Sequence, residues 1–493
     1  MRWVHTSDMH GAEMCRDLKL RLGADVLSDG GDSLQGAAWT QYAHEVGGSN
    51  GSHLIAVEMN EMGYDFAVCG NHDVAEGKEV LEMWAKDCMF PVLGANVDAE
   101  GVKPYIVMQK EGFRIGVVGL MYWNMVECAA KWVKIVREQE DVDIVVGVFH
   151  SGWEGGMDGE NLTKRVAEEV DGFDLILYGH DHHAAIHRVK SKVGREVLCV
   201  GAGCCGMTAA VVEVNSEEVT DENTVGWKIE AEIVDLSVIE GRMESRETCF
   251  PQYKEWLSTP ICLLTEKIEE KDSFFGPSTF ISLFHQMQMR ATAADVSFVS
   301  PVNYDSVVED GELTMRDLFT LYRFTTDVCA VRMTGREVHD VLERSYALWA
   351  NQMNDSEDDA LLMDYILDGG KRKGLKNISL NMLSAEGIDY VVDVTKPAGE
   401  KVSITSMSDG REFDAQATYL VAVNSYHCAG GGGMFPKGLK PERIAGDSRM
   451  LLQEYLQEQM VYTPKRESNW GFIPKDWTAE ALKRDRAILF GKE

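Results

Sequence analysis

Nowhere in the sequence does an apolar run approach the roughly 18–20 residues that a membrane-crossing helix needs, and no positively charged leader precedes an apolar segment. The strand-like RWVHTSD begins at Arg2 and leaves no room for a leader, so the chain as it stands is expected to be cytoplasmic. Basic residues are scarce: 48 Lys plus Arg stand against 80 Asp plus Glu, a formal net charge of −32. A field of that sign repels nucleic-acid backbones and anionic lipid, which argues against a polymer-binding or membrane-surface role. Paired cysteine spacing is also missing. The 11 cysteines are scattered, as at Cys69, Cys199 and Cys329, without the spacing of zinc ribbons or a disulfide scaffold, so reduced, packed thiols are expected. The adjacent Cys204 and Cys205 are read as incidental. There is no internal repeat and no low-complexity tract, and NDSEDD at 354–359 reads as a solvated acidic loop.

What is present is a long series of short strands. At 493 residues one core does not suffice, and two or three domains are expected. Up to about residue 236, apolar runs such as ADVLSDGGD (24–32), DFAVCGNHD (65–73), DIVVGVFHSG (143–152) and DLILYGHDHH (174–183) each end in Gly, Asp, Asn or His. Helical patterns at 126–139 and 161–170 lie between them. An α/β or α+β sheet delivers polar residues to the carboxyl ends of its strands in this way. YIVMQKEGFRIGVVGL and HRVKSKVGREVLCVGAG read as strand pairs around Gly turns, so the sheet is expected to be mixed. The charged, Pro-broken stretch 237–260 reads as a connector between a domain at 1–236 and another at 261–493. The later domain shows a helix at 278–290, then the strands DVSFVS and VCAVRMTG. A helix after Gly335 carries Val338, Val341, Leu342, Ser345, Leu348 and Trp349 on one face. Strands YVVDVT, KVSITSM and YLVAVNSY follow.

LYGHDHHAAIHR, residues 177–188, places four histidines in twelve positions at the end of an apolar strand. A turn gains nothing from imidazole that Ser or Asn would not supply, whereas imidazole is a common neutral metal ligand. Partners occur at other strand ends: Asp8 and His10 in TSDMHG, Asp32 in DGGDS, Asn71 and His72 in GNHD, His150 in FHSG, and His180 and His182 in GHDH. Taken in this order, the five motifs resemble those of the calcineurin-like metallophosphoesterases. SPVNYDSVVEDGELT, LYRFTTDVCAVRMTG and VAVNSYHCAGGGG resemble the 5′-nucleotidase C-terminal domain.

The resemblance covers almost the whole chain. It implies a four-layer αββα sandwich followed by a smaller α/β substrate-binding domain, and a dinuclear phosphohydrolase acting on small nucleotides. The relatives in view are 5′-nucleotidases, UDP-sugar hydrolases and 2′,3′-cyclic-nucleotide 2′-phosphodiesterases, which are commonly exported. It implies that Asp8, His10, Asp32 and His182 hold one divalent ion, and that Asp32, Asn71, His150 and His180 hold the other. Mixed Asp, Asn and His ligation suits Mn, Fe, Zn or Co. His72 would act at the phosphoryl group, while His183 and His187 would lie outside the ligand set. Phe324 and Tyr426 would stack the base, with Gly430 and Gly431 letting the backbone approach it.

The chain departs from the family pattern in three places. Ala75, with Glu76 one place on, stands where the family motif has the Asp that orients the histidine. Asn303 and Tyr304 stand where an arginine is common, and Ser278 to Gln288 holds none, although Arg290 and Arg323 lie nearby. Only residues 12–27 separate the first two metal motifs. Two functions stay open: a nucleotide phosphohydrolase, or a nucleotide-binding protein on the same scaffold with impaired turnover.

Overall fold

Side chains alternate faces along the apolar strands of the first half of the chain, and that alternation feeds two separate cores. Ile144, Val146 and Val148 enter one buried cluster, together with Leu175 and Leu177, while Val145, Phe149, Ile176 and Tyr178 enter the other. The computed structural model describes residues 1–50, 52–155, 159–218, 225–239, 245–324, 326–367 and 371–491. It divides at Met1–Trp256 and Leu257–Glu493.

The first unit holds two sheets. One is built from β1 (Arg2–Thr6), β2 (Val26–Asp29), β3 (Phe66–Val68), β4 (Val92–Leu93) and β5 (Val102–Lys103), all parallel. The other contains β6 (Tyr105–Lys110), β7 (Phe113–Met121), β8 (Ile144–His150), β9 (Leu175–Tyr178), β10 (Ala184–Lys190) and β11 (Glu196–Ala202). β7, β8, β9 and β11 run parallel, and β6 and β10 pair antiparallel at the two edges. β12 (Thr208–Glu218) and β13 (Val225–Asp235) close the first sheet, with β12 antiparallel to β1. Both sheets are mixed and both Gly-centred strand pairs form, as expected.

The first core lies between the sheets. The second packs the far face of β7, β8 and β9 under Met125, Ala129, Val133 and Val136 of the helix Met125–Gln139, and under Val166 and Ala167 of Thr163–Glu169. Parallel neighbours need crossovers, and the helices Ala38–Asn50, Leu54–Met62 and Lys78–Asp87 supply them between β2, β3 and β4. The result is the expected four-layer αββα sandwich. Between β1 and β2 the short span 12–27 leaves only a four-residue helix, Leu18–Arg21, yet the strands pair in full from Trp3↔Val26 to Thr6↔Asp29.

In the stretch read as a connector, residues 240–244 lie outside the described residues. Beyond them Arg246 is buried, bonded to Glu58 at 2.8 Å and to the Gly11 and Ala12 carbonyls, with its guanidinium 5.0 Å from the Trp39 ring centre.

The second unit centres on a five-stranded sheet, in the order Ser384–Glu386, Val296–Val299, Thr418–Asn424, Asp327–Thr334 and Arg443–Asp447. The helix Gly335–Trp349 starts at a reciprocal Thr334–Glu337 cap and buries Val338, Val341, Leu342, Ser345 and Trp349. These meet an aromatic cluster in which Tyr390 and Trp470 stack with centroids 5.7 Å apart. None of the 11 cysteines is in a disulfide; seven are buried and only Cys205 is exposed. Among the described residues no helix is long and apolar enough to cross a membrane.

Candidate functional site

β1, β2, β3, β8 and β9 each end in one of the polar motifs, so parallel strands deliver Asp8, His10, Asp32, Asn71, His72, His150, His180 and His182 to neighbouring loops. The turns are tight. Asp8, His10, Asp32, His180 and His182 all have left-handed backbones, with φ of 52°, 48°, 59°, 80° and 60°. Such conformations cost on the order of 1–3 kcal/mol each and persist only where the surroundings impose them. Gly70 shows why the spacing is fixed: a β-carbon there would lie 2.1 Å from Asp32 Oδ1, so no larger residue fits between the Asp32 and Asn71 loops.

Two donor groups result. Asp8, His10 and His182 present ligand atoms that all lie within 4.8 Å of one another, and Asp32, His150 and His180 do the same. Asp32 faces both groups: its Oδ2 is 3.1 Å from His150 Nε2 and 3.9 Å from His10 Nε2. Asn71 Oδ1 lies 3.1 Å from His150 Nε2, and His182 Nε2 is 3.2 Å from His10 Nε2 and 3.6 Å from Asp8. All seven residues expected as ligands are therefore brought together. Asp8, Asp32 and His150 are buried, whereas His182 is exposed, so the centre opens to solvent on one side. His183 points away, 83% exposed, and His187 stacks on Trp153 at 3.9 Å.

The donors are aimed by their second partners. Nδ1–H of His150 donates to the Gly30 carbonyl and that of His10 to the Gln35 carbonyl, each at 2.9 Å, which leaves both Nε2 lone pairs for a cation. Asp8 accepts the His180 backbone N–H and the Ser7 hydroxyl. The buried Asp73 carboxylate takes four backbone N–H groups, from Gly70, Asp32, Ser33 and Leu34, at 2.7–2.9 Å, and so ties the Asn71 loop to the Asp32 loop. Burial opposes charge on Asp32, but the imidazoles of His150, His72 and His10 hold its carboxyl well below the usual range. Burial likewise opposes charge on His150, yet the carboxylates of Asp32 and Asp8 push its pKa up to about 10. A ligating imidazole must be neutral, so a cation and a proton compete for His150. The donor set fits divalent metal ions.

His72 stands beside this centre, Nε2 4.0 Å from Asp32 Oδ2, with its backbone N–H on Asp32 Oδ1 at 2.8 Å. Its Nδ1 meets the Gln35 side-chain oxygen. Sequence reasoning missed Gln35, Asp73 and Glu160, whose carboxylate lies 3.8 Å from His180 Nε2. Asp73 sits within the GNHD motif, but an uncharged Gln three places after Asp32 gives no signal of its own.

In the second unit, Phe324 precedes the strand Asp327–Thr334 and Tyr426 follows Thr418–Asn424. These are antiparallel neighbours in which Val328 pairs with Asn424, so both aromatics leave the sheet at one end. Phe324 is half-buried, its carbonyl held by Arg449 and its ring 5.0 Å from the Arg323 guanidinium. Tyr426 is exposed and lies against Gly431, where a β-carbon would come within 2.5 Å of the ring. Gly430 has φ 103°, which favours glycine. Asn303 donates its amide to the Thr320 and Leu321 carbonyls at 3.0 and 2.9 Å, supporting the segment before Phe324. Arg290 is committed to an ion pair with Glu458.

Residues 1–184 match the family model for calcineurin-like phosphoesterases, and residues 260–438 match that for the 5′-nucleotidase C-terminal domain. The chain is 24% identical to the trifunctional nucleotide phosphoesterase protein of Bacillus subtilis, over 92% of this chain but only 36% of that one. It is 23% identical to the 2′,3′-cyclic-nucleotide 2′-phosphodiesterase/3′-nucleotidase of Haemophilus influenzae, over 94% of this chain and 82% of its relative. A Staphylococcus aureus structure described as a 5′-nucleotidase, solved with α-ketoglutarate, superposes with a TM-score of 0.73 at 19% identity, covering 96% of this chain and 99% of that one. The 5′-nucleotidase precursor of Thermus thermophilus gives 0.59 at the same identity and coverage. At such identities the two structures speak for the fold.

Proposed function

We propose, from the match of residues 1–184 to the calcineurin-like phosphoesterase model and of residues 260–438 to the 5′-nucleotidase C-terminal domain model, that the protein is a dinuclear metal-dependent phosphohydrolase of small nucleotides. The observation that carries the reading is the pair of donor groups at the strand ends, with Asp32 of one group facing His10 of the other at 3.9 Å. Asp8, His10, Asp32 and His182 would hold one divalent ion, and Asp32, Asn71, His150 and His180 the other. A mixed nitrogen and oxygen set suits Mn, Zn, Fe or Co. A bound pair of such ions activates water at neutral pH and neutralises phosphoryl charge.

His72 does not ligate. It presents Nε2 to the reacting phosphoryl group, where it stabilises developing charge or hands a proton to the leaving oxygen. Phe324 and Tyr426 hold the base by stacking, with Gly430 and Gly431 letting the backbone lie close. Phe324→Ala and Tyr426→Ala should each raise KM by about 5- to 150-fold at nearly constant kcat, because stacking of roughly 1–3 kcal/mol per base is present in ground and transition states alike. An unchanged KM in steady-state assays would return both rings to a packing role.

Substrate preference follows from the cations. Asn303 is uncharged and bonded within the fold, so the bidentate arginine clamp common at its position is missing there; the nearby guanidiniums are Arg290, ion-paired with Glu458 at the surface, and Arg323, beside the Phe324 ring. The net charge of −32 further disfavours multiply charged ligands. Nucleoside 2′,3′-cyclic phosphates and monophosphates should be hydrolysed in preference to ADP, ATP and UDP-sugars. The test is kcat/KM for 2′,3′-cAMP, 3′-AMP, 5′-AMP, ATP and UDP-glucose with Mn²⁺ or Zn²⁺ added, alongside the metal content. A preference for ATP or UDP-glucose would reveal a clamp, and binding without phosphate release would make the protein a nucleotide-binding one.

A further inference from the structure

An imidazole that works through Nε2 must have its other nitrogen fixed, and the helix Asn71–Ala75 that carries His72 supplies no acceptor for it. Asp73 is filled by its four backbone N–H groups, Ala75 has no polar atom, and the Glu76 carboxylate turns to other partners. Those partners complete a chain. Gln35 Nε2 donates to Glu76 Oε1 at 2.6 Å, and His44 Nδ1 meets Glu76 Oε2 at 3.1 Å. A carboxylate only accepts, so the nitrogen end of the Gln35 amide faces Glu76 and its oxygen end faces His72 Nδ1. That oxygen also only accepts, so Nδ1 of His72 carries a proton and Nε2 is directed toward the metal-ligand cluster, where it can donate to a phosphoryl or leaving oxygen as the imidazolium, in which both nitrogens are donors.

We propose that Gln35, clamped by Glu76, which His44 holds in turn, is the positioning residue for His72: a neutral amide that accepts Nδ1–H and fixes the ring orientation from a different loop. The inference rests on the reading of His72 as a catalytic residue. The backbone carbonyl of Gln35 separately holds His10 Nδ1 at 2.9 Å, and a side-chain substitution leaves that bond in place.

The test is a double-mutant cycle on the metal-loaded protein, with metal content measured for every variant. Gln35→Ala should lower kcat by about 10- to 100-fold, the usual cost of losing a group that orients a working imidazole, with KM within about twofold and two metal equivalents retained. The swapped pair Gln35→Glu with Glu76→Gln, which keeps an acceptor for His72 Nδ1 and a donor–acceptor contact between positions 35 and 76, should recover kcat to within about threefold of the parent. Glu76→Ala should fall between the parent and Gln35→Ala, since the amide stays present but loses its clamp. In a His72→Asn background, Gln35→Ala should cost less than about twofold more, because both changes remove one function.

Three results would overturn the assignment: parental kcat in Gln35→Ala, loss of metal in that variant, or a full additional loss in the His72→Asn background. If His72→Asn itself leaves kcat unchanged, the catalytic reading of His72 fails, and its positioning by Gln35 fails with it. A kinetic defect in His72→Asn with none in Gln35→Ala removes only the positioning role.

Discussion

Asp32→Asn should reduce kcat by about 10³-fold or more and lower the metal content from two equivalents to one or fewer, because one carboxylate faces both donor groups. The substitution isolates charge. Asparagine keeps an oxygen to accept the His72 N–H, and it tolerates the left-handed backbone that Asp32 adopts at φ 59°. What it removes is the anion that the imidazoles of His150, His72 and His10 surround. His183→Ala is the matching control: the ring is 83% exposed, outside both donor groups, and its loss should change little. Metal analysis with phosphate-release kinetics reads both variants. Two retained equivalents with near-normal turnover in Asp32→Asn would show that Asp32 is not the bridge.

The second large effect separates chemistry from metal binding. His72→Asn should lower kcat by about 10²- to 10⁴-fold, the range for a positioned acid–base or electrostatic group, while two metal equivalents remain. Nε2 of His72 sits 4.0 Å from Asp32 Oδ2, near enough to act beside the centre, and no metal-donor group includes it. Metal analysis of the variant decides between the two roles, since loss of an equivalent would make His72 a ligand.

Much of this site is legible in the sequence because its ingredients repeat in a readable form. Each of β2, β3, β8 and β9 is an apolar run followed at once by Gly, Asp, Asn or His, and the parallel pairing that gathers the runs makes their ends converge. Both Gly-centred strand pairs and the capped helix Gly335–Trp349 were legible for the same reason: local pattern and tertiary outcome agree.

Three features were not. The left-handed turns at Asp8, His10, Asp32, His180 and His182 occur at residues with no special preference for them beyond a modest tolerance in Asp and His, so only the packed loops reveal them. Ala75 reads as the loss of an orienting group, and no local pattern marks the Gln35 amide of the Asp32 loop as the partner that His72 Nδ1 meets. Asn303 looked like a missing arginine, whereas its side chain spans two backbone carbonyls. Gln35 and Asn303 are uncharged side chains whose hydrogen-bond partners lie well along the chain, which periodicity and charge counting do not register.

The pairing of β1 with β12 has a consequence for synthesis. Arg2 to His5 lie opposite Glu213 to Ala210, so one flank of the first strand finds its neighbour only after some two hundred further residues have been made. At typical translation rates of roughly 5–20 residues per second, that is an interval of about 10–40 s. During it, Trp3 and Val4, both fully buried in the finished protein, lie on a strand with an open edge. The nascent chain therefore keeps this edge open to wrong pairing and chaperone capture throughout the interval, and arrival of β12 ends it.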